Sequence, residues 1–227
     1  MTTKKDYVKV IYNEQDRPFT TYPDKLTKYL VDSYSLEQGK CILDLGCGRG
    51  EFLRGFMRAG LKGYGIDQSD AAKKICPETE IKIGNLEEKL PYADDSFDYV
   101  FSKSVIEHFY YPEKLIQEIY RILKPGGMVI TMTPDWEVIY KMFYEDYTHR
   151  TPFTQTSLKD IFLIHGYVNV TCKKFRQLPF LWDLPWLWSM TSIIACLTPD
   201  YLKKSSKLVR FSKEVMLLAI AEKNKTI

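Results

Sequence analysis

The stretch CILDLGCGRG, residues 41–50, joins a short apolar run to three glycines at alternate positions. The apolar half, bounded by a turn signal, predicts a fully buried strand. The glycine half predicts a sharp turn where the backbone can come close to a ligand, and a helical pattern begins at Glu51. A strand, a glycine turn and a helix in this order place backbone N–H groups and a positive helix end at the edge of a parallel sheet, where such sheets bind ligands.

Strand and helix patterns alternate along the rest of the chain. Apolar runs predict strands at residues 41–45, 63–66, 80–83, 97–102, 127–132 and 167–173. Amphipathic patterns predict helices at residues 23–37, 50–59, 69–74, 112–123 and 156–165. Residues 208–220 show a strand pattern with no helix separating it from the preceding strand, which favours antiparallel pairing at or near the sheet edge. We therefore expect an α/β fold with a mostly parallel seven-stranded sheet, covered on both faces, and an antiparallel last strand.

Composition narrows the class of protein. A chain of 227 residues with 45% hydrophobic residues is long enough for one well-packed domain. The formal net charge of +3 gives no reason to expect a nucleic acid partner. The five cysteines are odd in number and lack metal-type spacing, which favours a reducing compartment without disulfides or a zinc site. The N-terminus has no apolar signal core, so we expect a cytoplasmic protein.

An insertion at residues 175–206 is unusually rich in aromatic residues. Asp183 and two prolines interrupt its apolar run, so it falls short of a transmembrane segment. It is expected to form a cap or a dimer surface, and the protein to be a monomer or a homodimer. Peripheral membrane contact is the alternative interpretation.

The chain resembles class I S-adenosylmethionine-dependent methyltransferases, in the small type-11-like group. The motifs that carry the resemblance occur in the order of that family: LDLGCGRG at 43–50, GYGID at 63–67, LPYADDSFD at 90–98, Glu107-His108, and RILKPGG at 121–127. The resemblance implies a Rossmann-like fold with S-adenosyl-L-methionine as methyl donor, S-adenosyl-L-homocysteine as product, and no metal. Its expected parts are an N-terminal helical lid (1–38), a cofactor-binding core (41–133), an acceptor-pocket region (134–174), the insertion (175–206) and a final strand (208–220).

The resemblance also assigns residues to the cofactor. Gly46 and Gly48 would let the backbone approach its methionine part, Asp44 would reach its amino group, and Asp67 would accept hydrogen bonds from the ribose hydroxyls. An acid at this position would serve NAD equally well, and it is the glycine spacing and the later motifs that favour the methyl donor. The remaining expected contacts are with the adenine, from the Asn85 side chain and the Leu86 backbone, and with the reactive methyl, from Ser102 and Lys103. Asn85 departs from the family, which commonly has Asp there.

The acceptor is expected to bind near the carboxyl ends of the strands. His149 lies in a polar, aromatic loop before a predicted helix, where it could act as a base, bind the acceptor or be structural. His108 follows Glu107 in a family motif, with a catalytic or a helix-capping role equally open. The expected acceptor-binding residues are Arg17, Asp135, Trp136, Tyr147 and Arg150.

Missing motifs narrow the acceptor. The chain lacks both the Asn/Asp-Pro-Pro-aromatic element of enzymes that methylate amide or base amino groups and the Pro-Cys element of cytosine-C5 enzymes. A small or carrier-linked acceptor is expected. The His149 loop and the final segment resemble methyltransferases of bacterial capsular and surface polysaccharides, including that of O-methyl phosphoramidate formation. A sugar hydroxyl would need a base such as His149, whereas an anionic phosphoramidate oxygen would need cations such as Arg17, Arg150 or Lys141.

Two other classes of protein stay open. One is a non-catalytic S-adenosylmethionine-binding regulatory protein, and the other is a methyltransferase of a different small metabolite. A nicotinamide-dependent oxidoreductase is a more distant third.

Overall fold

The computed structural model describes residues 14, 15 and 17–225. The predicted N-terminal lid lies partly outside this range, and its described part contains helix α1. The strands are β1 (Cys41–Leu45), β2 (Lys62–Asp67), β3 (Ile81–Ile83), β4 (Phe97–Lys103), β5 (Leu123–Pro134), β6 (Tyr167–Arg176) and β7 (Val215–Lys223). The α-helices are α1 (Tyr22–Ser33), α2 (Glu51–Arg58), α3 (Pro112–Ile122), α4 (Trp136–Ile139), α5 (Gln155–Ile164), α6 (Phe180–Asp183), α7 (Trp188–Leu197) and α8 (Lys207–Lys213).

The seven strands form one sheet in the order β3-β2-β1-β4-β5-β7-β6. Strands β1 to β5 are parallel to one another, and β7 runs antiparallel between β5 and β6. The order reverses between β1 and β4, so the carboxyl ends of these two strands flank the crevice where open α/β sheets bind ligands. The predicted fold class is confirmed.

Each face of the sheet is covered by helices because side chains alternate along the strands. Leu43 and Leu45 of β1 contribute to a buried cluster with α3 and α5. Ile42 points to the opposite face, where it belongs to a cluster with Leu30 of α1 and Phe56 of α2. Burial of each such side chain contributes about 1.5–3 kcal/mol, so these two clusters hold the strand ends in place.

The prediction of a continuous strand over 208–220 is wrong in its first half. Residues 207–213 form α8, and the strand begins only at Val215. The Ser206 side chain accepts a hydrogen bond from the Val209 backbone N–H and so caps the helix. Val209 and Ser212 are buried three residues apart, which is helical spacing. Helices α6, α7 and α8 lie between β6 and β7, contrary to the expectation that no helix separates these strands.

The aromatic insertion folds into short helices beside α1. Trp182 stacks on Phe175 with ring centroids 5.4 Å apart and lies 4.9 Å from Tyr29 of α1. Other large side chains of the insertion face outward, and Trp186 is 71% exposed. Among the residues described here, no helix has the length and apolar character needed to cross a bilayer.

Candidate functional site

The glycine turn after β1 needs glycine for two different reasons. Gly46, Gly48 and Gly50 all have positive φ, at 77°, 51° and 81°. A Cβ on Gly46 would lie 2.5 Å from Val105 Cγ2, which is a steric overlap. A Cβ on Gly48 would meet nothing within 4 Å. The turn is therefore packed against the segment after β4 on one side and open on the other, as approach of a ligand requires.

Two buried carboxyl groups adjoin this turn. Asp67, at the end of β2, accepts hydrogen bonds from the backbone N–H groups of Gly48 and Ser69, both at 2.9 Å. Asp44 is 3% exposed, and its Oδ2 has no hydrogen-bond partner among the described residues. Burial and the nearby Asp67 carboxylate raise the pKa of Asp44 to about 8. A buried acceptor without a donor, at the end of the central strand, suits a ligand that brings an ammonium group.

An open depression of about 590 Å³ lies beyond the ends of β2 and β3, lined by Gln68, Ile83, Gly84, Asn85 and Glu87. The Asn85 side chain is engaged locally, since Oδ1 accepts from the Glu87 backbone at 3.1 Å and Nδ2 donates to Glu88 at 3.2 Å. Ile83 was not among the predicted site residues, yet it is 59% exposed and lines the depression. The feature of the sequence that could have identified Ile83 is an apolar residue at the last position of a short predicted strand. Leu86, the other predicted adenine contact, is buried beside this depression.

The end of β4 carries the two residues predicted to border the reactive group. Ser102 is buried, and its Oγ has no hydrogen-bond partner within the described part of the chain. The Lys103 Nζ lies 5.5 Å from the Phe52 ring centroid. Burial lowers the pKa of Lys103 to about 8. Because Leu45 is paired with Ser102, these groups lie directly beside the glycine turn.

A second group of polar side chains lies after β4. It joins Glu107 and His108, which follow this strand, to His149 from the loop before α5. The rings of His108 and His149 have centroids 4.9 Å apart. One ring nitrogen from each and a Glu107 carboxylate oxygen lie within 4.8 Å of one another, a grouping that could hold a metal ion. The sequence led us to expect no metal and gave no reason to group these three residues. His149 is 42 positions from Glu107 along the chain, so only the fold shows that they meet.

Hydrogen bonds fix which nitrogen of each ring carries the proton. The Nδ1 of His149 lies 2.6 Å from the Phe143 carbonyl oxygen, which can only accept, so this nitrogen donates. The Nδ1 of His108 lies 2.9 Å from Thr148 Oγ1, and that hydroxyl donates its single proton to the Asp146 carboxylate. His108 Nδ1 must therefore also donate. In the neutral form of each ring this arrangement leaves the lone pair on Nε2.

Glu107 is fully buried and holds the histidine loop in place. Its Oε2 accepts from the Thr133 hydroxyl at 2.9 Å, while Oε1 has no partner among the described residues. Its backbone carbonyl accepts from the N–H groups of Arg150 and Thr151 at 2.8 and 3.1 Å. Burial raises the pKa of Glu107 to about 7. Burial, followed by the proximity of His149, lowers the pKa of His108.

The residues predicted to bind the acceptor have unlike surroundings. The fully buried Asp135 caps α4 through the Glu137 backbone N–H and pairs with Lys174 at 3.1 Å. Trp136 belongs to an aromatic cluster with Tyr140, Phe143 and Tyr144.

The other three predicted residues lie nearer the protein surface. Arg150 donates to the His149 carbonyl at 2.9 Å and lies 5.2 Å from the Tyr110 ring centroid. Tyr147 is 79% exposed. Arg17 is exposed, and its backbone carbonyl accepts from Arg49 at 2.7 Å. Of this set, Arg150 and Tyr147 belong to the same loop as His149.

Comparisons with known proteins agree with this architecture. A phosphoethanolamine N-methyltransferase of Caenorhabditis elegans is 34% identical over 160 residues, which cover 65% of this chain and 37% of that protein. An uncharacterized methyltransferase of Mycobacterium leprae is 32% identical over 103 residues, covering 43% of this chain and 38% of that protein. The chain thus spans about two fifths of the length of these curated relatives.

Similarity also extends to solved structures. The crystal structure of a SAM dependent methyltransferase from Archaeoglobus fulgidus superposes with a TM-score of 0.68 at 21% identity, covering 96% of this chain and 100% of that one. At this identity the match shows the fold alone. The model of a methyltransferase domain family matches residues 12–172, more than half of the chain. The chain belongs to this methyltransferase domain family.

Proposed function

We propose that the protein is an S-adenosylmethionine-dependent O-methyltransferase acting on a small or carrier-linked acceptor. The observation that carries the proposal is that the segment after β4 contacts both the glycine turn and the His149 loop. Val105 packs against Gly46 of the glycine turn, and Glu107, two residues later, holds the backbone of the His149 loop. A donor bound at the turn and an acceptor bound at the loop would therefore meet at the end of β4, and alignment of two reactants is the main requirement of a displacement reaction.

The groups around the turn suit the methyl donor. Asp44 would accept from its ammonium group, which supplies the donor that the buried Oδ2 lacks. The Asp67 carboxylate accepts from the backbone N–H groups of Gly48 and Ser69 at this edge of the sheet, where it would also accept hydrogen bonds from the ribose hydroxyls. Ile83, Asn85 and Leu86 would flank the adenine. When bound, the donor supplies a methyl group on a positively charged sulfur.

His149 is the candidate base in this proposal. Its Nδ1 is held by the Phe143 carbonyl, so its Nε2 lone pair is free to take the proton of an acceptor hydroxyl. His108 lies against it, and its Thr148 and Asp146 hydrogen bonds hold the paired ring in place. For an acceptor that is already anionic, the Arg150 guanidinium would contribute more than a base.

We infer that the acceptor is a precursor of a surface or capsular polysaccharide, with a sugar hydroxyl or a phosphoramidate oxygen receiving the methyl group. The support is the likeness of the His149 loop and the final segment to enzymes of that class. A phosphorylated amine is the second candidate, because the Caenorhabditis elegans relative is named for such a substrate. These acceptors differ in the atom methylated, so the position of the new methyl separates them.

The test is transfer of a deuterated methyl group from labelled S-adenosylmethionine, read by mass spectrometry. Acceptors to be screened are nucleotide-linked sugars, phosphoramidate-bearing sugars and phosphoethanolamine. We expect a labelled product with wild type, and loss of it with Asp44→Asn but not with Asp160→Asn, an exposed carboxylate on α5. Label on nitrogen of phosphoethanolamine alone would refute the O-methyl proposal.

Calorimetry with S-adenosylhomocysteine and with NAD distinguishes a methyltransferase from a non-catalytic regulatory protein and from a nicotinamide-dependent oxidoreductase. Binding of S-adenosylhomocysteine without turnover on any acceptor class would favour a non-catalytic regulatory protein. Binding of NAD in its place would contradict the assignment of the donor site.

A further inference from the structure

We propose that Glu107, His108 and His149 bind a divalent metal ion whose open coordination positions face the acceptor. The role of the ion toward the acceptor rests on the proposed function, whereas the binding of the ion is independent of it. The three side chains converge from two separate parts of the chain, the segment after β4 and the loop before α5. Two imidazoles and one carboxylate form a ligand set that suits Zn²⁺, Fe²⁺ or Co²⁺.

The convergent atoms are all acceptors. With both Nδ1 atoms donating to protein oxygens, each histidine offers only its Nε2 lone pair to this group. Glu107 adds Oε1, which is buried and has no hydrogen-bond partner in the described part of the chain. A buried oxygen without a donor is costly. One ligand atom from each of the three side chains lies within 4.8 Å of the others, so a cation among them would give this oxygen the partner that it lacks.

A hydrogen bond to another part of the protein also orients each of the three side chains, as is usual for metal ligands. The Phe143 carbonyl holds His149, the Thr148 hydroxyl holds His108, and the Thr133 hydroxyl holds Glu107. The chain from Asp146 through Thr148 to His108 has the form of a carboxylate that orients a histidine ligand. These contacts leave Nε2 of each histidine and Oε1 of Glu107 as the atoms that could bind an ion.

The spacing of the cluster is close to that of a metal site. A tetrahedral ion with bonds of about 2.0–2.1 Å places its ligand atoms about 3.4 Å apart. The ligand atoms here lie within 4.8 Å of one another, so binding requires their separations to shorten by up to about 1.4 Å through side-chain rotation. Three protein ligands leave at least one position for water or an acceptor oxygen. In the metal-bound protein the His149 Nε2 lone pair is coordinated and no longer serves as the base, and coordination to the ion would instead make the acceptor hydroxyl easier to deprotonate.

Cobalt titration tests the site without any acceptor. The protein is prepared with Cys196→Ser, which removes the exposed thiol, stripped with EDTA and titrated with Co²⁺ while visible absorption is recorded. We expect one bound ion with nitrogen and oxygen ligands, and affinity lowered by about tenfold or more in His149→Ala and Glu107→Gln. His165→Ala is the matched control, because His165 is the chain's remaining histidine and lies at the end of α5. Equal binding by His149→Ala, or absence of a visible spectrum in the parent protein, would overturn the proposal.

Two further measurements keep the result interpretable. S-adenosylhomocysteine calorimetry on the same samples reports folding and the donor site, so failure of the proposed function and failure of the metal site give different results. Should Glu107→Gln not fold, Asp146→Asn replaces it, with an expected loss of about tenfold through the orientation of His108. Azide added to the cobalt protein should bind at an open coordination position and shift the visible spectrum. A spectrum that azide leaves unchanged would contradict the proposal that the bound ion has open coordination positions.

Discussion

The contact between Gly46 and Val105 predicts how much stability the glycine turn contributes. A Gly46→Ala substitution adds a Cβ at a φ of 77°, 2.5 Å from Val105 Cγ2. The left-handed backbone conformation costs an L-residue about 1–2 kcal/mol, and overpacking costs about 1–3 kcal/mol more. The free energy of unfolding should fall by about 2–5 kcal/mol, which for a chain of this size lowers Tm by about 4–20 °C.

Gly48→Ala is the matched control for this substitution. Its φ is 51°, but a Cβ there would meet nothing within 4 Å, so only the backbone penalty of about 1–2 kcal/mol applies. The same Cβ would project into the space reserved for the methyl donor. We expect Gly48→Ala to be the more stable variant and to bind S-adenosylhomocysteine about tenfold or more weakly than wild type.

A double-mutant cycle isolates the contact with Val105. Val105→Ala alone should cost about 2 kcal/mol through lost burial, yet it removes the methyl that overlaps with a Cβ on Gly46. The Gly46→Ala/Val105→Ala pair should therefore be more stable than the sum of the single changes by about 1–3 kcal/mol. Urea unfolding at constant m-value measures this. Additive single changes, or equal stability of Gly46→Ala and Gly48→Ala, would refute the steric argument.

Two more predictions concern the donor site and the insertion. Burial raises the pKa of Asp44 to about 8, so the folded protein keeps a proton on this carboxyl group that the unfolded chain loses near pH 4. Without ligand, the free energy of unfolding should therefore fall as the pH rises from about 4 to 8. Binding of a ligand's ammonium group should release this proton. The affinity for S-adenosylhomocysteine should therefore rise with increasing pH, by up to about tenfold per pH unit below pH 8. Calorimetry at several pH values should show this dependence in wild type and not in Asp44→Asn. Trp182→Ala should lower the free energy of unfolding by about 2–3 kcal/mol through loss of its packing on Phe175 and Tyr29, whereas Trp186→Ala, 71% exposed, should change it by less than about 0.5 kcal/mol in the same urea series. Equal losses in the two tryptophan variants would contradict the packing described for the insertion.

The sheet could be predicted from sequence because its signals are local. The apolar run at 41–45 and the glycines after it specify a buried strand and a turn whatever lies around them, and β1 spans the predicted residues. The error at 208–220 has the opposite cause. Residues 207–213 and Val215–Lys223 are both apolar enough for a strand, and the capping hydrogen bond of Ser206 decides in favour of a helix in the first half.

The candidate site could be predicted only where it depends on the order of residues along the chain. Asp44 and Asp67 are within the last two residues of β1 and β2, so the topology alone brings them to one edge of the sheet. The roles of Asp135 and Asn85 depend on partners that the sequence does not reveal, namely Lys174 for one and Glu88 for the other. The meeting of Glu107 with His149 likewise depends on how the loop before α5 folds back onto the segment after β4.

That segment, residues 104–108, links the two halves of the site. Its side chain at Val105 closes one side of the glycine turn, and its backbone carbonyl at Glu107 fixes the loop that carries His149. A displacement of Glu107 by metal binding would therefore be transmitted to Val105, two residues away, and from there to Gly46. Because packed interiors do not deform freely, we expect donor affinity and metal affinity to depend on each other. By linkage, whatever factor Co²⁺ adds to the affinity for S-adenosylhomocysteine must equal the factor that S-adenosylhomocysteine adds to the affinity for Co²⁺. Val105→Ala should reduce both factors together, because it loosens a contact that links the segment after β4 to the glycine turn.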